Sequence, residues 1–276
     1  MEFIEYLKSV LVGIVEGITE WLPVSSTGHM ILFDEFVKLN VSAAFLEMFL
    51  VVIQLGAILA VPTLFWQRLN PFTKKKSQDE RRRTLSLWGK VIVGAIPAAV
   101  LGLLLDDLLD EYLYGYLVVA AALIVYGVIF IAVERVKRKN TYRVDSVDDL
   151  TYKDALKIGA FQVLSLVPGT SRSGSTILGG MLTGVSRTAS AEFSFFMAIP
   201  IMLGASGLKV LKFLLEGFVA SGEEIALLII GIVVSYLVSL AVIKFLMDFV
   251  KRHSFAPFGV YRIVLGVLVF AYFILK

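Results

Sequence analysis

Long apolar stretches separated by short polar intervals occupy most of this 276-residue chain. A helix needs about 20 apolar residues to cross a hydrocarbon core of about 30 Å. No polar interval is long enough to form a separate soluble domain. The pattern therefore predicts an all-α integral membrane protein. Its six full transmembrane spans are predicted at 44–66, 87–105, 116–133, 190–214, 224–247 and 259–275.

Two further apolar segments are each interrupted by turn residues. Residues 3–21 are followed by Leu-Pro-Val-Ser-Ser-Thr-Gly and a shorter helix over 29–39, whereas residues 152–167 break at Pro168-Gly169 and resume over 174–184. Pro and Gly end helices, and Ser or Thr caps the next helix. Broken helices are tolerated at membrane depth where they line a polar cavity. We therefore expect two re-entrant helical hairpins, 3–39 and 152–184, whose tips meet near the midplane.

The two interrupted segments are related to each other in sequence. EGITEWLPVSSTGHMIL at 16–32 aligns with QVLSLVPGTSRSGSTIL at 162–178 when the chain is shifted by 146 residues. Three predicted spans follow each segment, so the sequence predicts two repeats, 1–139 and 140–276. The matched pairs include Glu16 with Gln162, Ser25 with Ser171, Thr27 with Ser173 and Gly28 with Gly174.

The charged residues between the spans predict that the repeats have opposite orientations. Lys and Arg concentrate in cytoplasmic loops of membrane proteins. The basic intervals 67–90 and 134–157 are therefore expected inside, and the acidic residues Asp106, Asp107, Asp110 and Glu111 between them outside. In the second half, the loop after the span 190–214 is acidic, and the loop after the span 224–247 is basic. This reversal predicts an inverted-topology repeat.

The amino-acid composition excludes several kinds of chemistry and of binding partner. The chain is 58% hydrophobic, contains no cysteine and carries a net charge of +3. The absence of cysteine excludes disulfides, thiolate metal sites and cysteine nucleophiles. Because the small positive charge is confined to loops, it argues for membrane orientation and against binding to nucleic acid.

The second polar loop, PGTSRSGST at 168–176, has the composition of an anion cradle. Gly169 and Gly174 allow a tight turn and a close approach to a ligand. The free N–H groups of the helix that follows favour an anion, and the Arg172 guanidinium suits phosphate oxygens. We expect the loop to bind phosphate through the glycines, Arg172 and its hydroxyl side chains, namely Ser171, Ser173 and Thr176.

The first polar loop supplies candidate reactive groups. Glu16 and Glu20 are four residues apart, so they share one helix face. A hydroxyl, an imidazole and two carboxylates are the groups that covalent or general-base transfer requires. Paired carboxylates also suit a divalent cation such as Mg²⁺ or Ca²⁺ held together with substrate phosphate. The residues that follow the carboxylates are Ser25, Ser26, Thr27 and His29.

These two motifs resemble those of bacterial undecaprenyl-diphosphate phosphatases, the bacitracin-resistance protein family. EGITEWLPVSSTGH is similar to the glutamate-rich motif of that family, and PGTSRSGST is similar to its second motif. The resemblance extends over essentially the whole chain, including its length, repeat and span pattern. Neither motif departs from the family pattern.

The resemblance implies an inner-membrane enzyme that removes the terminal phosphate of undecaprenyl diphosphate and returns the lipid carrier to cell-wall synthesis. It also implies dependence on a divalent cation and a site open to the outer face. We expect Ser26 to be the nucleophile, His29 or Glu20 the base, Arg172 a catalytic cation, and Glu16 with Glu20 the metal ligands. The alternative mechanism is direct attack by water, with Ser26 only binding the substrate. Ser25 and Thr27 are expected to bind the diphosphate, and a homodimer is possible on this interpretation.

Two alternatives differ in class. PVSSTGH is superficially similar to an element of membrane phosphatidic-acid-type phosphatases. These need a Ser-Arg pair followed, after five intervening residues, by a histidine, and this chain has Leu178 at that position. Paired broken helices in inverted repeats are also typical of secondary transporters, which predicts movement of an anion or flipping of the lipid carrier. Release of phosphate by purified protein in detergent distinguishes an enzyme from a transporter.

Overall fold

The computed structural model describes residues 2–113, 115–137 and 142–276, and these ranges are almost entirely helical. Two short 3-10 helices, Val147–Asp149 and Val163–Leu166, lie before and after α8. Within the described ranges the α-helices are α1 (Phe3–Thr19), α2 (Ser26–Phe36), α3 (Ala43–Val52), α4 (Gln54–Leu64), α5 (Trp66–Leu69), α6 (Gln78–Leu113), α7 (Tyr116–Lys137), α8 (Tyr152–Gln162), α9 (Arg172–Leu182), α10 (Arg187–Leu215), α11 (Gly222–Arg252) and α12 (Ala256–Leu275).

Six segments in the described part of the chain are long and apolar enough to cross a membrane, as the sequence predicted. This confirms a multi-pass, all-α membrane protein. The segments are Ala43–Leu64, Gln78–Leu105, Tyr116–Val136, Arg187–Leu215, Gly222–Arg252 and Ala256–Leu275.

Polar caps and a local break shift several helix boundaries from the predicted ones. The first span divides into α3 and α4 at Ile53. α6 begins well inside the predicted basic loop, because the Ser77 hydroxyl accepts a bond from the Glu80 N–H while the Glu80 carboxylate accepts one from the Ser77 N–H. This reciprocal capping satisfies backbone donors at a helix start. α11 begins with the same arrangement at Ser221 and Glu224.

Each hairpin packs against a span that belongs to the other half of the chain. α1 lies along α11, and α8 lies along α6. The first spans of the two halves meet as α3 and α4 against α10, and the third spans meet as α7 against α12. Pairings of this kind are those that two symmetry-related repeats produce. The inverted orientation itself stays a prediction.

Small residues allow the hairpin helices to approach these spans closely. A Cβ atom on Gly159 of α8 would lie 2.1 Å from the carbonyl oxygen of Gly94 on α6. That distance is far inside van der Waals contact, so only glycine fits there. The second hairpin therefore packs directly on α6.

Some predicted features lie outside the described part of the chain. They are the boundary between the two predicted repeats at 139–140 and the side chains of Asp106, Asp107, Asp110 and Glu111.

Candidate active site at the meeting of two hairpin tips

Both hairpin tips end in the same strained turn. α2 begins at Ser26 and α9 at Arg172, each earlier than predicted, because Ser25 and Ser171 are the N-cap residues. The Ser25 hydroxyl accepts a hydrogen bond of 3.2 Å from the Gly28 N–H, and the Ser171 hydroxyl accepts one of 3.1 Å from the Gly174 N–H. Ser25 and Ser171, expected to bind diphosphate, therefore use their oxygens as helix caps.

The two capping serines also share an unusual backbone conformation. Among the residues that the structure describes, Ser25 (φ 75°) and Ser171 (φ 71°) are the non-glycine residues with positive φ. Such a conformation costs on the order of 1–3 kcal/mol and persists only where the surroundings impose it. Strain at equivalent positions of the two tips marks them as functional candidates.

Gly169 makes the second turn possible. Its φ is +93°, and a Cβ atom there would lie 2.7 Å from the carbonyl oxygen of Val119 on α7. Both the conformation and the lack of space exclude a larger residue. Gly169 therefore forms the tight turn that was predicted for it, and the close contact with α7 requires glycine there.

Glu20 joins the two tips. Its Oε1 accepts hydrogen bonds from Nε (3.1 Å) and Nη2 (3.0 Å) of Arg172, while its Oε2 accepts one of 3.3 Å from the Ser26 hydroxyl. The side chains of Arg172 and Glu20 are only 11% and 8% exposed. The structure thus brings the predicted nucleophile, Ser26, and the predicted catalytic cation, Arg172, into contact with the same carboxylate, that of Glu20.

Arg172 is also fixed by residues that the sequence did not single out. Its Nη1 donates to the carbonyl oxygen of Ser194 on α10 at 2.9 Å, and its Cζ lies 5.7 Å from the centroid of the Trp21 ring. An arginine above a tryptophan face gains a cation–π attraction. No local pattern identifies Ser194, since it is one of three serines in an apolar span.

Ser173 and Thr176 lie at buried contacts that hold the tips together. The Ser173 hydroxyl donates to the carbonyl oxygens of Glu20 (3.1 Å) and Leu22 (3.3 Å) in the other tip. The Thr176 hydroxyl lies 3.0 Å from the Arg172 carbonyl oxygen and 2.6 Å from the Ser194 hydroxyl. Both side chains are fully buried, so this structure places them in support of the site and away from any open surface.

His29 faces a different direction from Ser26. Its Nδ1 lies 2.7 Å from the Ser25 carbonyl oxygen and its Nε2 lies 2.7 Å from the Tyr261 hydroxyl on α12. A ring nitrogen beside a carbonyl must carry the proton, so in the neutral ring Nε2 accepts from Tyr261. Glu20, and not His29, is the candidate base in contact with the Ser26 hydroxyl here.

An apolar groove opens beside His29. It has a volume of about 240 Å³ and is lined by Val15, His29, Leu32, Phe33, Phe36 and Leu265. Ser26, Thr27 and His29 are partly exposed, and so are Ser171 and Arg172 of the second tip, whereas Ser173, Gly174 and Thr176 are buried. The apolar surface open to a ligand therefore lies beside the first hairpin.

Glu16 and Glu20 fit a cation that is bound mainly through a ligand phosphate. Glu16 is 2% exposed, and its Oε1 has no hydrogen-bond partner. Over the described ranges no group of three or more His, Cys, Asp or Glu side chains could hold a metal ion. Mg²⁺ is often held by one or two carboxylates together with substrate phosphate and water. The donor set therefore fits such a cation and does not form an all-protein metal cage.

The fold and the site define a class: a multi-pass membrane protein with a buried Ser–Glu–Arg site between two broken helices. The chain belongs to the bacitracin resistance protein BacA family, whose model matches residues 9–268. It is 57% identical to an undecaprenyl-diphosphatase of Enterococcus faecalis, over 98% of this chain and 97% of that protein. It is 55% identical to an undecaprenyl-diphosphatase of Desulfitobacterium hafniense, over 99% of this chain and 98% of that protein.

Proposed function

We propose that this protein hydrolyses undecaprenyl diphosphate to undecaprenyl phosphate and inorganic phosphate, and so recycles the lipid carrier for cell-wall synthesis. The observation that carries the proposal is the Glu20 carboxylate, which contacts both the Ser26 hydroxyl and the Arg172 guanidinium. Relatives named undecaprenyl-diphosphatase align over nearly the whole chain. Bacitracin resistance follows from the family to which the chain belongs.

The diphosphate would lie between the helix starts of α2 and α9. Helix N-termini favour anions because their free N–H groups and dipoles point towards the ligand. Arg172 would exchange its bonds with Glu20 for bonds to the terminal phosphate, since a phosphate competes well for a guanidinium. That exchange frees the Glu20 carboxylate. The first isoprene units would occupy the apolar groove beside His29.

The chemistry would proceed through Ser26. Glu20 takes the proton of the Ser26 hydroxyl while the serine oxygen attacks the terminal phosphorus. The bond from that phosphorus to the bridging oxygen breaks, and undecaprenyl phosphate leaves with the proton that Glu20 gives back to the departing oxygen. The Glu20 carboxylate then deprotonates a water molecule, whose oxygen attacks the phosphoserine. The bond from phosphorus to the serine oxygen breaks, phosphate is released, and the Ser26 oxygen takes its proton from Glu20. His29 and Thr27, on the accessible side of the tip, would contact the diphosphate.

A divalent cation, Mg²⁺ or Ca²⁺, is part of this proposal. Glu16 and Glu20 would hold it, and the unpartnered Oε1 of buried Glu16 supports that assignment. When bound, the cation would neutralise negative charge on the diphosphate.

We further propose that the protein lies in the bacterial inner membrane with its site open to the outer face. The resemblance to the family supports the opening to the outer face, and the basic intervals of the sequence support a cytoplasmic position for the loops that carry them. A homodimer stays a prediction.

Phosphate release from undecaprenyl diphosphate by purified protein in detergent tests the activity. Parent protein is compared with Ser26→Ala, and rapid-quench samples are analysed for phosphoserine. Release that depends on an added divalent cation supports the proposal. If folded parent protein releases nothing under any cation, the chain is not a phosphatase and transport of an anion or lipid becomes the better interpretation. Release without a trapped phosphoserine, and with Ser26→Ala still active, would instead favour direct attack by water.

A further inference from the structure

Arg262 on α12 is a fully buried arginine to which the mechanism above gives no role. Its exposure is 0%. Nη1 donates to the carbonyl oxygen of Pro23 at 3.2 Å, and Nη2 donates to those of Gly169 (2.8 Å) and Thr170 (2.9 Å). These partners are backbone carbonyls and not carboxylates, and they come from both hairpin tips. One side chain therefore ties the two tips together.

Two of the three carbonyl groups that Arg262 binds are equivalent in the two repeats. Pro23 and Gly169 are separated by the same 146 residues that relate Ser25 to Ser171. Each carbonyl thus lies two residues before a serine with positive φ. A buried guanidinium that holds both carbonyls is suited to impose that strained conformation, because strain persists only where neighbouring contacts determine it.

The surroundings of Arg262 explain how one arginine serves two tips. α7 and α12 cross reciprocally: a Cβ atom on Gly127 would meet the carbonyl of Gly259 at 2.7 Å, and one on Gly259 would meet that of Gly127 at 2.7 Å. Gly127 also faces Ile263, and Gly259 faces Ile131. The contacts of Gly127 recur at Gly266, whose Cβ atom would meet the carbonyl oxygen of Ala120 at 2.9 Å and the side chain of Ile124. Gly127 therefore corresponds to Gly266, and the position on α7 that corresponds to Arg262 is four residues before Gly127.

That residue is Leu123, which is fully buried and apolar, so only α12 supplies a cation at this position. The Cζ atom of Arg262 lies 6.0 Å from the Phe130 ring centroid and 5.6 Å from that of Tyr126. The crossing of α7 and α12 therefore holds one cation and two aromatic rings. From there Arg262 reaches carbonyl groups of both tips.

We propose that Arg262 is a positioning residue for the reaction: it fixes both tips so that Ser26 and Arg172 meet the same carboxylate. Ser26 and Arg172 each follow directly after a strained serine, so a small rotation of either turn would displace them from Glu20. This assignment rests on the proposed phosphatase function. Arg262 itself is fully buried and would act through the tips that it holds.

Steady-state kinetics of Arg262→Lys and Arg262→Gln in detergent test the proposal. An ammonium is a single point of charge and cannot reproduce the planar fork of arginine. We expect kcat per folded molecule to fall about 10²-fold in both variants, as for a 1 Å misplacement of reacting groups. We expect KM to stay within about threefold of the parent. If either variant is folded and its kcat lies within about threefold of that of the parent, the positioning role is overturned.

A matched control separates positioning from general destabilisation. Leu227 is fully buried in another core cluster, so Leu227→Ala lowers the melting temperature without touching the tips. Its kcat per folded molecule is expected to equal that of the parent. If Leu227→Ala lowers kcat as much as Arg262→Lys does at a similar loss of melting temperature, the Arg262 effect is only structural and the proposal fails.

A readout without substrate keeps the inference separate from the activity. Because the chain has no cysteine, a nitroxide on Thr27→Cys reports motion of the first tip alone. We expect Arg262→Lys to increase the mobility of this label and leave unchanged that of a label on Leu85→Cys, which is exposed on α6. If Arg262→Lys leaves the mobility of the Thr27 label unchanged, Arg262 does not hold the first tip in place and the proposal is overturned. If the parent releases no phosphate but the Thr27 label is mobilised, the tether stands and the proposed function has failed.

Discussion

The two hairpin tips have the same backbone and different chemistry. In each, a serine with positive φ caps a helix through a glycine N–H three residues later. The first helical residue is then Ser26 in one tip and Arg172 in the other, and both side chains bond to Glu20. A duplicated turn therefore supplies the geometry, and a difference at one equivalent position supplies a hydroxyl on one side and a cation on the other.

The tips also differ in burial. Ser26 and Arg172, the first helical residues, are both partly exposed. Thr27 and His29 of the first tip are also partly exposed, whereas Ser173 and Ser175 at the equivalent positions of the second tip are buried. On the proposed function, the first tip would meet the ligand and the second tip would present Arg172 from a buried support.

The largest expected effect comes from removing the charge that only the second tip carries. We expect Arg172→Ala to lower kcat by about 10³-fold or more, as loss of a charge-stabilising arginine does in phosphoryl transfer. Arg172→Lys should recover little, because it loses the two-point contact with Glu20. Phosphate release checks both.

Arg187→Lys is the matched control, since Arg187 forms an ion pair with Glu134 elsewhere in the fold. It should retain the kcat of the parent per folded molecule. An Arg172→Lys variant with nearly normal kcat would mean that the second tip contributes only a point charge.

The next effect comes from the carboxylate that both tips share. Glu20→Gln keeps the shape of the side chain but removes its basicity, so we expect kcat to fall about 10²–10⁴-fold, the usual contribution of a general base. Single-turnover release of phosphate measures it. An activity within a few-fold of the parent would transfer the role of base to His29.

Strain in the capping serines gives a smaller effect that should be equal in the two tips. Ser171→Ala removes the cap and keeps a β-carbon at positive φ, so it should destabilise the protein by about 1 kcal/mol or more. Ser171→Gly also loses the cap, but glycine is free to adopt positive φ, so this variant should be destabilised by only about a few tenths of a kcal/mol. Thermal unfolding in detergent compares these variants with Ser25→Ala and Ser25→Gly. Equal melting temperatures for Ala and Gly would show that the turn is not strained.

The smallest effect concerns the base of the second hairpin and depends on pH. Asp154 lies outside the six candidate spans, and burial alone would raise its pKa. Hydrogen bonds from Thr151 and Arg143 outweigh burial, so the pKa of Asp154 is below its ordinary value. The stabilisation is therefore present above the unfolded-state pKa and is lost as pH falls through the folded-state pKa.

We expect Asp154→Asn to destabilise the protein by about 1 kcal/mol at neutral pH, as for loss of a helix cap, and by less in acid. Melting temperatures across acidic and neutral pH measure this difference. Asp248→Asn is the control, because Asp248 pairs with Lys251 on an exposed surface. A constant difference between Asp154→Asn and the parent at all pH values would contradict the assignment.

Several parts of the site were predictable because their signals are local in sequence. The six spans follow from the length of apolar stretches, and the turns follow from Pro, Gly and Ser. Glu20, Ser26 and Arg172 were expected together and do meet. The starts of α2 and α9 were misplaced, because a serine with positive φ is too rare to be expected from composition.

The sequence by itself determined a multi-pass helical protein with two related polar turns, since hydrophobic length and helix-capping chemistry act over a few neighbouring residues. Only the tertiary structure decided what those turns contact. Arg262 reaches Pro23, Ser194 holds Arg172, and Tyr261 holds His29 across long separations in the chain. Such partners are chosen by how helices pack, because a buried polar group must find its hydrogen bonds wherever the fold brings a donor or acceptor within reach.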